Sequence, residues 1–121
     1  MGTAQAEERF VMIIPGKYTV WFRTPVGEGA GVVDFGPNGD ISGGDTTFSY
    51  TGHWEQDRER FKAVISAKRV EPGPPGVFGM DEIDIILAGY SDGDVSASCT
   101  GFAKQSPGLK LEVTLHRMRD D

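Results

Sequence analysis

The sequence predicts an all-β fold, an antiparallel up-and-down barrel of about eight strands. Three observations predict it. Apolar and polar residues alternate with period two from Gly16 onward, as in strands with one buried face. The alternating segments are joined by short connections carrying Gly, Asn, Asp and Pro, which favours antiparallel neighbours. Seven such segments, with a possible eighth, approach the number at which a sheet closes and removes its exposed edges. A sustained 3.6-residue period is absent except over Ala4 to Met12, too short to support a helix by itself.

The first strand runs from Lys17 to Arg23, with Tyr18, Val20 and Phe22 on one face, Lys17, Thr19 and Arg23 on the other, and Trp21 as the exception. Pro25 marks the corner before Glu28 to Phe35. In that segment Gly27, Gly29 and Gly31 form a bare stripe, against which a backbone, a bulky side chain such as Trp21, or a ligand can lie. Asn38-Gly39 suits a two-residue turn with positive φ. The Ile41 segment is a strand of its own if the chain breaks at Gly43-Gly44, a pair that reads as a bulge or corner. No helix start or lysine follows to make it a phosphate cradle. From Thr46 to Trp54, Phe48, Tyr50 and Trp54 oppose Thr47, Ser49, Thr51 and His53.

Glu55-Gln56-Asp57-Arg58-Glu59-Arg60 then reads as an exposed hairpin tip, after which Phe61, Ala63, Ile65 and Ala67 face away from Lys62, Ser66 and Lys68. The Pro- and Gly-rich run Glu71 to Gly76 excludes regular structure. It is a loop within one domain, since neither half could bury its apolar face alone. Two weaker strands, Glu82 to Tyr90 and Val95 to Lys104, flank an Asp92-Gly93 turn. Pro107-Gly108 suits a corner before a last strand in which Leu109, Leu111, Val113 and Leu115 oppose Lys110, Glu112, Thr114 and His116. The expected organisation is one barrel domain over 15–119 preceded by an extension, 1–14, in which Met12 is an alternative start.

A chain of 121 residues holds one core. Its net charge of -6 argues against nucleic-acid binding, which needs clustered Lys and Arg. Apolar runs such as Val11 to Ile14 and Ile83 to Ala88 are too short to span a bilayer, so no membrane partner is expected. A single cysteine, Cys99, excludes an intrachain disulfide, and with no targeting signal the expected location is cytoplasmic. The inventory for catalysis is thin. His53 and His116 fall on the outward register, and Cys99 shares a face with Val95, Ala97 and Ala103 as a small buried side chain. Asp81, Glu82, Asp84, Asp92 and Asp94 lack the spacing of a calcium loop. No enzyme activity, metal or cofactor is expected.

Gly16-Lys17-Tyr18, Gly27-Glu28-Gly29, Asn38-Gly39, Ile41 with Gly43-Gly44-Asp45, then Tyr50 and Gly52 follow an order and spacing that resembles the GrlR family. These are small, lipocalin-like bacterial β-barrels whose named member is a negative regulator of type III secretion. The resemblance covers Met12 to Gly52. It implies an eight-stranded barrel, a homodimer, and a role as a binding protein that sequesters a protein partner such as a transcriptional activator. It further implies Glu55, Asp57 and Glu59 as partner-binding positions, here interspersed with Gln56, Arg58 and Arg60. The alternative function is to carry or sense a small apolar ligand in the barrel interior, lined by Tyr18, Phe22, Phe48, Tyr50 and Trp54.

Overall fold

The computed structural model describes residues 15–58, 60–73, 76–91 and 96–118. Eight strands follow one another: β1 (Gly16–Thr24), β2 (Gly27–Phe35), β3 (Asp40–Gly44), β4 (Phe48–Asp57), β5 (Arg60–Arg69), β6 (Glu82–Ser91), β7 (Ser96–Ala103) and β8 (Ser106–Arg117). Each pairs antiparallel with the next, and β1 pairs with β8 from Tyr18 against Arg117 to Arg23 against Glu112. The sheet is therefore a closed up-and-down barrel. In that topology the connections after β1, β3, β5 and β7 share one end, and those after β2, β4 and β6 share the other.

Period two decides what points inward. Tyr18 and Val20 of β1, Val33 and Phe35 of β2, Phe48 and Tyr50 of β4 and the Phe61, Ala63, Ile65, Ala67 series of β5 are all buried. Leu111, Val113 and Leu115 of β8 complete the ring opposite. Cys99 is buried on β7 beside Ala97 and Ala103, on the predicted face. His53 and His116 are exposed.

Three turns differ from the sequence expectation, each for a local reason. Asn38-Gly39 is not a two-residue turn. The reversal uses Gly36 to Gly39, with the Gly39 amide donating to the Gly36 carbonyl at 3.2 Å and Pro37 in the second position, where its fixed φ fits. Only Gly39 of that segment takes a positive φ, 91°. Pro107-Gly108 is not the β7–β8 corner either. Ala103 pairs with Ser106, so the turn is Lys104-Gln105, and the Pro-Gly pair sits inside β8 where the register shifts between Gly101 and Ala103. A proline tolerated at a bulge gives the same sequence signal as a corner. Finally, the polar tip is shorter than its composition: Glu55, Gln56 and Asp57 continue the ladder opposite Lys62, Phe61 and Arg60. Arg58 takes φ 62° at the reversal itself. The Asp92-Gly93 turn, Val95 and the 1–14 extension lie outside the described residues.

The Ile41 segment is the eighth strand. It is only five residues long and meets β2 from Val32 to Phe35, so the Gly27–Gly31 half of β2 has no strand partner on that side among the described residues. Gly43 holds φ 149°, and a Cβ there would overlap the Val32 carbonyl oxygen. Gly43→Ala is therefore expected to lower stability by about 2 kcal/mol or more, through backbone strain and overpacking. Gly27→Ala, with open space at its Cβ, is expected to stay within about 0.5 kcal/mol of the parent. Urea denaturation of both variants checks the contrast.

Candidate functional site

The interior of the barrel is filled unevenly, because inward side chains differ in size from one end to the other. At the end that carries the β2–β3 and β4–β5 turns, the Tyr18 and Phe35 rings pack with centroids 5.4 Å apart, and Phe35 lies 5.4 Å from Trp54. Trp54 Nε1 donates to the Gly36 carbonyl at 3.1 Å, which anchors the indole beneath that turn. Toward the opposite end the inward positions include Gly29 and Gly31 on β2 and Ala67 on β5, while Ala63 stands level with Trp54. There the barrel holds a cavity of about 280 Å³, open at its mouth. Phe35, Phe61, Leu87 and Leu115 form its floor, and Val20, Phe22, Ile65 and Ile83 are among its walls.

The glycine stripe receives Phe22, not Trp21. Phe22 pairs with Gly29, and a Cβ on Gly29 would come within 2.7 Å of the Phe22 ring. Trp21 pairs with Ala30 one residue out of phase, so it faces outward, 58% exposed, with Nε1 donating to Glu28 Oε1 at 3.1 Å. Of the five aromatic residues that the sequence places inside, Phe22, Phe48 and Tyr50 line the cavity. Tyr18 and Trp54 lie in the aromatic plug beyond its floor and do not reach it.

The roof comes from the β5–β6 connection, whose composition alone indicates only a loop. Its last residues turn back over the mouth: Phe78 is buried, and Val77 and Met80 line the cavity with it. Thr24 Oγ1 donates to the Val77 carbonyl at 2.8 Å. The Val70 amide donates to the Thr47 carbonyl at 2.8 Å, joining the start of the connection to the β3–β4 turn. Arg69 holds the outer side. Its Nε meets Asp81 Oδ1 at 2.7 Å, its Nη1 donates to the Gly73 carbonyl at 3.3 Å, and its guanidinium lies 4.9 Å from the Phe48 ring centre. The apolar Val77-Phe78 pair directly after the Pro-Gly run was the available sequence signal for this roof.

One polar group set faces the cavity. Asp45 Oδ1 accepts from the Thr47 and Phe48 amides at 2.8 and 2.7 Å, an Asx turn that starts β4, and Asp45 Oδ2 accepts from the Tyr50 hydroxyl. Burial first, and the Asp45 hydrogen bond and charge second, push the Tyr50 hydroxyl well above the usual tyrosine range, so it remains a neutral donor. Glu28, Gly29 and Ala30 line the cavity beside Asp45, Thr46 and Thr47. They do so where β2 runs without a β3 neighbour, which leaves a seam in the wall. Asp45 escaped the sequence reading because Gly43-Gly44 drew attention to backbone shape. An Asp three residues before a strand was the usable sign.

The described residues hold no group of three His, Cys, Asp or Glu side chains placed to bind a metal, and no helix among them is long and apolar enough to cross a membrane. Burial pushes the Cys99 thiol up to about 12, away from nucleophilic reactivity. Glu55 and Asp57 lie exposed at the end of the barrel opposite the cavity mouth, across from Lys62 and Arg60 in register. Glu59 lies outside the described residues.

No protein-family model matches the chain, and no curated protein matches it. Among solved structures, a redesigned β-barrel is similar to it with a TM-score of 0.68 at 17% identity, over 90% of this chain and 99% of that one. That likeness is one of fold.

Two outcomes follow from the buried titrating groups. Because the Tyr50 and Cys99 pKa values are raised in the folded state above their usual 10.0 and 9.0, the stability they contribute is fully present below about pH 9. It is lost as pH rises beyond, since the unfolded chain ionises first. Tyr50→Phe should flatten the part of this alkaline loss above about pH 10, as read by urea midpoints across pH. A thiol-reactive dye at neutral pH should label Cys99 only after denaturation; rapid labelling of the native protein would contradict its burial.

Proposed function

We propose that the barrel binds a small apolar molecule in this cavity and serves as its carrier or sensor, without catalysis. The observation that carries the reading is an apolar cavity of about 280 Å³ with a closed floor and one polar corner at Asp45 and Tyr50. Binding sites for small molecules combine these features: an apolar lining that drives association and a few polar groups that orient the ligand. Size limits the occupant. A dry cavity of about 150 Å³ takes a benzene, so this one suits a ligand of roughly ten to twelve non-hydrogen atoms.

A regulatory role through a protein partner at Glu55, Asp57 and Glu59 draws less support. Glu55 faces Lys62 and Asp57 faces Arg60 across the hairpin. Paired charges of this kind leave little net field to attract a basic partner.

Thermal unfolding with naphthalene and indole as probes tests the reading. Binding to the native state alone should raise Tm in a concentration-dependent way. Ala67→Phe places a ring into the cavity and should abolish the shift while the variant still unfolds cooperatively. A ligand-induced shift that persists in Ala67→Phe, or none in the parent protein with either probe, would overturn the cavity as the site.

A further inference from the structure

The open hydrogen-bonding groups beside the cavity belong to the main chain. Pro25 and Val26 join β1 to β2, and Thr24 pairs with Gly27 across that turn. In a two-residue hairpin the closing pair exchanges both of its backbone hydrogen bonds, and every second pair after it does the same. Gly27, Gly29 and Gly31 therefore turn their amides and carbonyls toward β1, and Glu28, Ala30 and Val32 turn theirs toward β3. Contact geometry agrees. A Cβ on Gly43 would overlap the Val32 carbonyl oxygen, and one on Gly31 would lie 2.9 Å from the Gly44 carbonyl oxygen, which places both carbonyls in the space between β2 and β3. The ladder there ends at Val32 opposite Gly44. Its next step would set Ala30 against Thr46, but Thr46 lies in the β3–β4 turn, where the Asp45 amide donates to the Phe48 carbonyl at 2.9 Å. Among the described residues, the Ala30 amide and carbonyl are left without a main-chain partner on that side.

This open stretch borders the cavity. Glu28 and Ala30 line it although their side chains stand on the outward register, with Glu28 accepting from outward Trp21, so what they present to the cavity is backbone. Asp45 and Tyr50 beside them are engaged with each other and with the Thr47 and Phe48 amides. Resting on the reading of the cavity as a ligand site, we propose that its ligand is a neutral planar aromatic carrying adjacent N–H and C=O groups, a lactam or carboxamide, which completes at Ala30 the ladder that β3 leaves short. The ring system fills the apolar interior. The ligand C=O accepts from the Ala30 amide and the ligand N–H donates to the Ala30 carbonyl, as the next residue of a paired strand would. One flat head reaches both groups because the N–H and C=O of a strand residue point to the same side. A hydrocarbon of the same size fills the same space and leaves both to water. A pure acceptor engages only the amide.

Quinolin-2-one, 1-methylquinolin-2-one and naphthalene share a two-ring body and differ in what they offer Ala30: donor and acceptor, acceptor alone, and neither. Isothermal titration should place quinolin-2-one above its N-methyl derivative by about tenfold, the effect of leaving one backbone acceptor unmatched. With free quinolin-2-one at about ten times Kd, hydrogen exchange of the Ala30 amide read by NMR should slow about tenfold, whereas naphthalene at equal saturation should leave it unprotected. Ala30→Pro removes the donor without breaking a bond to β1, since an open strand edge accepts a proline whose nitrogen faces away from the ladder. It should weaken quinolin-2-one several-fold and bind naphthalene as the parent does, which also establishes that the variant is folded. The exchange measurement needs no variant. Equal affinities for the two quinolinones, an Ala30 amide that exchanges at the same rate with quinolin-2-one bound, or undiminished quinolin-2-one binding in Ala30→Pro would overturn the lactam assignment and leave the cavity reading standing. Failure of all three compounds to bind would overturn both.

Discussion

Everything in this molecule depends on the pairing of β1 with β8. Once Tyr18 to Arg23 meets Arg117 to Glu112, the eight strands form a ring. The diameter of the interior is then set by strand number and tilt, not by what the interior contains. An open sheet can fold down onto small side chains, but a closed one cannot collapse to fill space. Glycine and alanine at inward positions of a barrel therefore leave room, and large rings occupy it. Here the two are sorted along the barrel axis. Tyr18, Phe35 and Trp54 are stacked at one end, and Gly29, Gly31 and Ala67 stand toward the other.

This explains which parts of the structure were legible in the sequence. Alternation is a local property, so the inward faces of β1, β4, β5 and β8 could be read directly from Tyr18, Phe48, Phe61 and Leu111 and their neighbours at steps of two. The eighth strand was harder because β3 has five residues and ends in two glycines. Turn chemistry identified reversals more reliably than it placed them. Pro107-Gly108 and a true corner both need irregular backbone, and only the Ala103–Ser106 pairing distinguishes them. The cavity was legible only in part, through Phe22, Phe48 and Tyr50 on inward faces. It depends on how levels of different strands align around the ring, which a single strand's sequence does not encode. It also depends on Val77, Phe78 and Met80 returning over the mouth after a run that reads as plain loop.

The division of the barrel into two ends also separates two kinds of surface. At the mouth, polar groups face inward and are mutually arranged: Asp45 is oriented by two backbone amides and Tyr50, and the roof is fixed through Thr24 and Thr47. At the far end, the charged residues of the β4–β5 hairpin face each other across the ladder in opposite-sign register. Such exposed pairs contribute little stability, and they leave no strong field. The buried polar groups cluster at the mouth, and Glu55 and Asp57, which the family resemblance singles out, lie exposed at the other end.

The magnitude of the unfilled volume bears on whether the cavity is incidental. Side chains around a space of about 280 Å³ forgo dispersion contacts that a filled interior would make. Replacing Ala63 or Ala67 by larger apolar residues would have been a short mutational route to a filled core, since both face the space directly. A barrel shaped only by stability has reason to take that route. This one keeps small residues at those positions, a neutral tyrosine donor beside Asp45, and a roof held through Thr24 and Thr47.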